Sequence, residues 1–398
     1  MITVQQAENL IFERNLRLNT ELVPLPEANR RLACEDIRAD RDFPPFNRVT
    51  MDGVAINMEG WNQGRREFHI AGVQAAGEFP KTLTDSQQCL EVMTGAVLPQ
   101  GADTVIPYEH LQKAANGSVQ ITVDPRPGQN VHRQGSDRRA GEVIIKSGTL
   151  MEPPEIGIAA TVGKSELVVR ELPKIAIIST GNELVEVHES PLPHQIRSSN
   201  AHTMEQALAR WKIQAQRYHL IDDLQGTIAK LGELINSYQV LILSGGVSKG
   251  KFDHVPQALE QLQVDKHFHR ISQRPGKPFW FGSHPSGCLV FAFPGNPVSA
   301  FMCFNRYFKP WMDQQLAFRT SNFMAELQTD INFKPDLTYF AQVKVESLQE
   351  KIIAWPAEGH GSGDLANLVK ADGFLELPKG QDTFAAFSRY PLYLYRDL

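Results

Sequence analysis

Cysteine is scarce in this sequence: four residues in 398, Cys34, Cys89, Cys288 and Cys303, widely scattered and with no CxxC pair. That excludes a disulfide framework of the kind that staples small secreted domains, and it removes the usual seed of a zinc site. None of the four stands beside a basic residue that would lower its pKa, so reduced, unreactive thiols are expected. Long apolar runs are missing too. The longest, Cys288 to Phe293, falls far short of the roughly 20 residues that cross a bilayer, and no membrane span is expected. Neither sign of charge dominates, because 40 Lys plus Arg against 45 Asp plus Glu leave −5, which argues against a general nucleic-acid binder. The opening MITVQQAENLIFERN has neither a basic stretch nor an apolar one, so no secretory signal is expected and the chain reads as cytoplasmic.

A hydrophobic fraction of 42% with 21% charged residues fits a globular chain, and at about 150 residues per domain the length implies two to four domains. The spacing predicts a helix over Val4 to Asn15, a Pro-bearing connection, and a second helix near Glu27 to Ile37. From Phe43 to about Asp137 short apolar runs alternate with Gly and Pro, as in a β-rich insert. "LMEPPEIGIAATVG" predicts a Pro-started helix with Ile156, Ala159 and Ala160 on one face, packed with the N-terminal helices. From Pro173 strand and helix patterns alternate. Strands are expected at 175–179, 214–221, 240–243, 267–271, 279–281 and 289–293, with helices at 200–211, 224–235, 253–262 and 297–308, the last stopping before Pro310. The continuous Val240 to Leu243 run suits a strand buried on both faces of a parallel sheet. The expected fold class is therefore multidomain α/β. A doubly wound α/β, nucleotide-binding-like domain over 172–318 accompanies a helical linker domain (1–42 and 140–171), the β-rich insert (43–139) and an all-β C-terminal domain (323–398).

Ligands of an open α/β sheet bind beyond the carboxyl ends of the strands, and there the chain is polar and Gly-rich. Ser179-Thr180-Gly181-Asn182-Glu183 follows the first strand, Asp222-Asp223 the second, and Ser244-Gly245-Gly246-Val247-Ser248-Lys249-Gly250 the third. Consecutive glycines at a helix start let backbone N–H groups converge on an anion, although the loop is no Walker A. Glu183, Asp222, Asp223 and Asp253 on one rim would repel unless a hard cation such as Mg²⁺ bridged them to phosphate, the alternative being that Asp253 and one of Asp222 and Asp223 only cap helices. Arg270, Arg274 and Lys277 put cations opposite the acids, with Pro-Gly turns on either side.

The segments "STGNEL", "SGGVSKGKFDH", "RPGKPFWFG" and "FPGNPVSA", with "PPFNRVTMDGVAI", "MTGAVLPQGADTVIP" and "GSDRRAGEVI" upstream, resemble the molybdopterin molybdenumtransferases, whose eukaryotic relative is the large domain of gephyrin. The resemblance spans essentially the whole chain. It implies an L-shaped homodimer of four-domain subunits that inserts molybdate into adenylylated molybdopterin with Mg²⁺, releasing AMP and molybdenum cofactor, and it admits the molybdopterin adenylyltransferase as a partner. By the same resemblance Glu183, Asp222 or Asp223, and Asp253 look like the metal-linked acids. Ser179, Thr180, Gly181, Ser244, Gly245, Gly246 and Ser248 fall in its substrate loops, and Lys277, Pro294 and Pro297 match its Pro-Gly motifs. Arg270 and Arg274 stand where bacterial relatives carry lysines. Asp52, Thr94 and Asp137 match residues that complete the cleft from the partner subunit, and Ser362 in "GHGSGD" matches a serine lining it. Two departures stand out: Arg197-Ser198-Ser199-Asn200 replaces Tyr-Asp-Ser/Thr-Asn, and the basic residue expected near "TYFAQVKV" is missing. An adenylyltransferase would need only the α/β domain, and a gephyrin-like scaffold would have no need of the acids.

Overall fold

The structure, a computed structural model, describes every residue except 249, 251–252, 349–350, 358 and 397–398. Lys249 of the Gly-rich loop and the last two residues of "YPLYLYRDL" therefore lie outside the described residues. The chain divides into two compact units, one of residues 1–21, 30–32 and 170–398, the other of 22–29 and 33–169.

The larger unit holds a six-stranded sheet in the spatial order Gln216–Leu220, Ile175–Thr180, Val240–Ser244, Leu289–Phe293, Trp280–Ser283, Asp265–His269. The first four strands are parallel, with Ala176 level with Leu241 and Leu241 with Val290, and the last two run antiparallel at the edge. All five residues of Val240–Ser244 are buried, as a strand covered on both faces requires. One face packs Ala176, Ile178, Leu241, Leu243 and Val290 against Leu231, Leu234 and Ile235 of the Leu224–Ser237 helix and Val255, Ala258 and Leu259 of the Val255–Gln261 helix. On the other, Phe291 meets Phe308 and Trp311 at centroid distances of 5.1 Å, and the Asn200–Leu208 helix buries Ala201, Met204 and Leu208. Helices on both faces make the sheet doubly wound, as expected.

The expected stop before Pro310 does not occur. The helix Pro297–Cys303 widens into a π turn at Phe304–Phe308 and continues as Lys309–Gln315. The wide turn resets the hydrogen-bond ladder, so Pro310 falls in a first turn, where no N–H is needed. That turn carries Arg306, 3% exposed. Its Nη1 lies 2.8 Å from Glu8 Oε1 of the Val4–Phe12 helix and its Nε 2.8 Å from Glu376 Oε2.

Glu376 belongs to the C-terminal domain, where Thr338–Leu348, Lys351–Pro356, Phe323–Leu327, Arg389–Leu394 and Gly373–Leu377 pair in that order and Gly373–Leu377 returns to Thr338–Leu348. The result is a closed five-stranded barrel filled by Leu327, Ala341, Val343, Ala354, Leu375 and Leu392. One edge stays open to pairing: Gln273–Arg274 joins it in parallel, Gln273 beside Thr338 and Arg274 beside Tyr339.

The smaller unit is β-rich, as expected. Its sheet runs Thr104–Pro107, Gly53–Ile56, Gln88–Val92, Glu67–Gln74, Ser118–Ile121, Leu111–Lys113 over a core of Val54, Ile56, Trp61, Phe68, Cys89 and Ile106. A second cluster joins Val23, Ala28, Ala33 and Ile37 to Ile145, Met151, Ala159, Leu167 and Val169. The helix expected near 27–37 is absent. A 3-10 turn at Leu25–Glu27 gives way to left-handed Arg30 (φ 62°), and the backbone then pairs elsewhere, Ala33 N with Thr149 O at 2.9 Å and Cys34 N with Val168 O at 2.8 Å. The Pro153–Thr161 helix forms and buries Ala159, but Ala160 is exposed and Ile156 half-buried. Its neighbour is the 25–27 turn rather than a second helix.

Burial pushes the thiols of Cys89 and Cys288 up to about 12, and that of Cys303 also up, so these three carry no thiolate at neutral pH.

Candidate functional site

The loops at the carboxyl ends of the parallel strands are laced together. Asn182 N donates to Asp222 Oδ2 at 3.4 Å and Asp222 N to Asn182 Oδ1 at 3.0 Å, joining the ends of the first two strands. Asn200 Nδ2 donates to Ser244 Oγ and to Gly295 O, both at 2.7 Å, joining the third to the last. Gly245 and Gly246 have φ of 99° and 70°, and a Cβ on either would come within 2.8 or 2.9 Å of Thr180 Oγ1. Only glycine permits that approach. Thr180 Oγ1 is itself buried with no hydrogen-bond partner among the described residues.

A cavity of about 480 Å³ opens between these loops. It is lined by Ser179, Thr180, Gly181, Glu183, Asp222, Ser244, Gly245, Gly246, Ser248, Asp253, Pro294 and Pro297, all singled out from the sequence, and by the divergent Arg197, Ser198 and Ser199. Asp253 Oδ2 accepts from Ser248 Oγ at 2.5 Å and from Gly250 N at 2.7 Å, so the acid closes the Gly-rich loop on itself. His254 is the N-cap residue of the Val255–Gln261 helix.

Asp223, expected beside Asp222 on the acid rim, is placed differently. Its Oδ2 accepts from Gly226 N at 2.6 Å and caps the Leu224–Ser237 helix. Nor do the remaining acids close into a cage: among the described residues no three of His, Cys, Asp and Glu gather tightly enough to hold an ion. The donors around the cavity are nonetheless oxygens, carboxylate and hydroxyl, which suit a hard cation that keeps its waters and arrives with phosphate.

A second cavity of about 1090 Å³ shares Pro278, Pro294 and Asn296 with the first and runs on to the barrel. Arg274, Lys277 and Ser362 line it. Asn296 Nδ2 donates to Ser362 Oγ at 3.0 Å and Val298 N to Ser362 O at 3.1 Å, which fixes the serine at the start of the Pro297–Cys303 helix. Fully buried Gln273 supports the Arg274-Pro275-Gly276-Lys277 turn from beneath, donating to Gly276 O at 3.1 Å while accepting from Tyr307 OH. Gly276 has φ of 85°, and a Cβ there would meet Cys303 Sγ at 2.5 Å. Arg270 lines neither cavity. It lies beside His269, whose pKa is lowered chiefly by burial and further by the Arg270 charge.

Of the three residues expected from the β-rich region, two meet. Asp52 Oδ1 accepts from Thr94 N at 2.6 Å and Thr94 Oγ1 at 2.8 Å, and these bonds hold its carboxyl below the usual range. Asp137 Oδ1 instead lies 2.8 Å from His132 Nε2, the main cause of its own lowered pKa, and His132 Nδ1 lies 3.2 Å from Arg48. All three are exposed.

Sequence reasoning missed His269, whose Nε2 lies 2.8 Å from Val247 O under the Gly-rich loop, and it missed Gln273 and Asn296 as supports. Asn296 had a signal, since it stands between two prolines at a helix start. Gln273 had none, because its partners lie at 276, 303 and 307.

Fold and site together define a multidomain protein whose doubly wound α/β domain carries a rim of glycines, hydroxyls and carboxylates beside a closed β-barrel. Residues 2–163 match the family described as MoeA N-terminal region (domain I and II), 176–314 the probable molybdopterin binding domain, and 324–386 the MoeA C-terminal region (domain IV). A molybdopterin molybdenumtransferase of Synechocystis sp. is 41% identical over 99% of this chain and 100% of its own length, and one of Bacillus subtilis is 29% identical over 100% and 94%. The crystal structure of a molybdopterin biosynthesis MoeA protein from Pyrococcus horikoshii OT3 superposes with a TM-score of 0.82 at 27% identity, covering 99% of this chain and 100% of that one. The chain belongs to the molybdopterin molybdenumtransferase family.

Proposed function

We propose that the protein inserts molybdate into adenylylated molybdopterin and releases AMP, producing molybdenum cofactor. The observation that carries this reading is the pair of cavities meeting at Pro278, Pro294 and Asn296, one walled by hydroxyls, glycines and acids, the other holding Arg274 and Lys277. In this reading the Ser179–Gly181 and Ser244–Gly246 loops bind the nucleotide's phosphates through hydroxyl and backbone donors. Arg274 and Lys277 hold molybdate, a tetrahedral dianion, and offset charge as the phosphoanhydride breaks and AMP leaves. Glu183, Asp222 and Asp253 would hold Mg²⁺ together with the substrate's phosphates, and the ion supplies further charge neutralisation at the bridge.

The same reading includes a homodimer in which Asp52, Thr94 and Asp137 of one subunit complete the cleft of the other, supported by their exposure and by the hydrogen bonds that keep Asp52 and Asp137 ionised. It includes the molybdopterin adenylyltransferase as the partner that delivers substrate, and a cytoplasmic location, supported by the unlinked thiols of Cys89, Cys288 and Cys303, as a reducing compartment would keep them. Among the described residues no helix is long and apolar enough to cross a membrane.

The test is incubation with adenylylated molybdopterin, Mg²⁺ and molybdate, following AMP. Release that needs both additions is expected, and release unchanged by excess chelator would overturn the metal-assisted reading. For the dimer, Asp52→Ala and Asp253→Ala chains, each inactive alone, should regain activity when co-expressed, and no recovery would refute the shared cleft.

A further inference from the structure

The 1090 Å³ cavity is lined by two cations, Arg274 and Lys277, and by barrel residues that include Phe333, Tyr339, Trp355 and Gln342, with the Arg274 guanidinium 5.9 Å from the Phe333 ring centroid. An oxyanion needs only the cations. A volume just above the roughly 300–1,000 Å³ range of small-molecule pockets leaves room for an organic group with a flat ring. Gln342 comes from the Thr338–Leu348 strand, where its neighbours Ala341 and Val343 point into the barrel core, so Gln342 is on the outer face. Its Oε1 is buried and has no hydrogen-bond partner among the described residues. A buried acceptor left unpaired is costly, and in a cavity wall it marks the place where a ligand donor belongs.

We propose that Gln342 and the aromatic barrel wall form the subsite for the pterin ring, with Gln342 Oε1 accepting an N–H from the ring's 2-amino-4-oxo edge. This assignment rests on adenylylated molybdopterin being the substrate. The pterin edge presents two adjacent N–H donors, which an acceptor can satisfy. The adenine edge alternates one donor with one acceptor, and the phosphates and molybdate offer acceptors only. The phosphate-binding loops already account for the nucleotide end, so the ring without an assigned partner is the pterin.

The test uses whole protein with 6-hydroxymethylpterin, read by quenching of the pterin's fluorescence, together with KM for adenylylated molybdopterin. Gln342→Leu should weaken pterin binding and raise KM about tenfold, the effect of one lost hydrogen bond to a buried group, with kcat changed by less than about threefold. Gln342→Glu, whose carboxylate accepts from both N–H groups, should hold pterin affinity within about threefold of the unaltered protein or better it. Equal melting temperatures of both variants and the parent keep folding out of the comparison. Unchanged Kd and KM in Gln342→Leu would overturn the assignment. So would an equal loss in both variants, which would make the amide a donor to adenine or to the oxyanion. If the unaltered protein binds pterin with this pattern yet releases no AMP, the proposed reaction fails and the pterin subsite stands.

Discussion

The two cavities are built on different principles. The 480 Å³ cavity is assembled mainly from loops that follow directly on strands of one sheet, with the 196–200 segment added, and most of the residues that shape it lie near a Gly- or Pro-bearing motif. The 1090 Å³ cavity is assembled from a turn of the α/β domain and from barrel residues, and it brings together positions about 60 apart or more, such as Lys277 with Gln342 and Asn296 with Ser362. A site at strand ends can therefore be read from local sequence, whereas a site against a barrel is visible only once the barrel has closed.

The sharpest way to break this contrast is to substitute one charge from each cavity. Asp253→Asn and Lys277→Ala should each lower AMP release by orders of magnitude with folding intact, because both remove charge that offsets the scissile anhydride. If Lys277→Ala turned over normally, the larger cavity would lose its part in the reaction. Asp253→Asn separates two roles: loss of loop closure alone would appear as a lower melting temperature with turnover preserved.

Next in size is Gly276→Ala. It places a Cβ at left-handed φ against Cys303 Sγ and Met302 Cε, and roughly 2–4 kcal/mol of stability should be lost, measured by denaturant unfolding. A stability within error of the parent would show that the turn relaxes and that Gln273 does not fix it.

A smaller effect sharpens the reading of the adjacent acids. Asp223→Ala should cost about 0.5–2 kcal/mol through loss of the helix cap and leave turnover alone, while Asp222→Ala should do the reverse. Loss of turnover in Asp223→Ala would return that residue to the rim.

The smallest expected effect is on pH. Burial is the first cause that holds His267 and His269 below the ordinary histidine value, so the unfolded chain takes up protons on them at higher pH than the folded chain does. The stability they contribute is complete above about 6.5 and declines as pH falls below it toward their lowered folded pKa values. The melting temperature should drop across that window, and His269→Gln should make the drop shallower. An equal drop in the variant would assign it to other groups.

Much of the fold was legible because burial imposes pattern. The Val240 strand, the Leu231 and Ile235 stripe and the four parallel strands all follow from which side chains must avoid water. The errors came where a local rule met a tertiary partner. Residues 27–37 look helical by composition, yet the backbone after Arg30 bonds to Thr149 and Val168, more than 100 positions away. Pro310 reads as a helix stop, yet the preceding wide turn makes it a beginning. Asp222 and Asp223 are indistinguishable by type, and only the direction of one side chain toward Gly226 N separates them.

The grip of Arg306 on Glu8 and Glu376 has a consequence in time. During synthesis the Val4–Phe12 helix emerges early, but the guanidinium that its carboxylate holds is 298 positions further along, and the second carboxylate follows 70 positions after that. Until then the chain carries a glutamate with no counter-charge from this trio, and afterwards a cation that cannot remain buried without both acids. The Val4–Phe12 helix therefore reaches its final ionic setting only when the much later Gly373–Leu377 strand arrives.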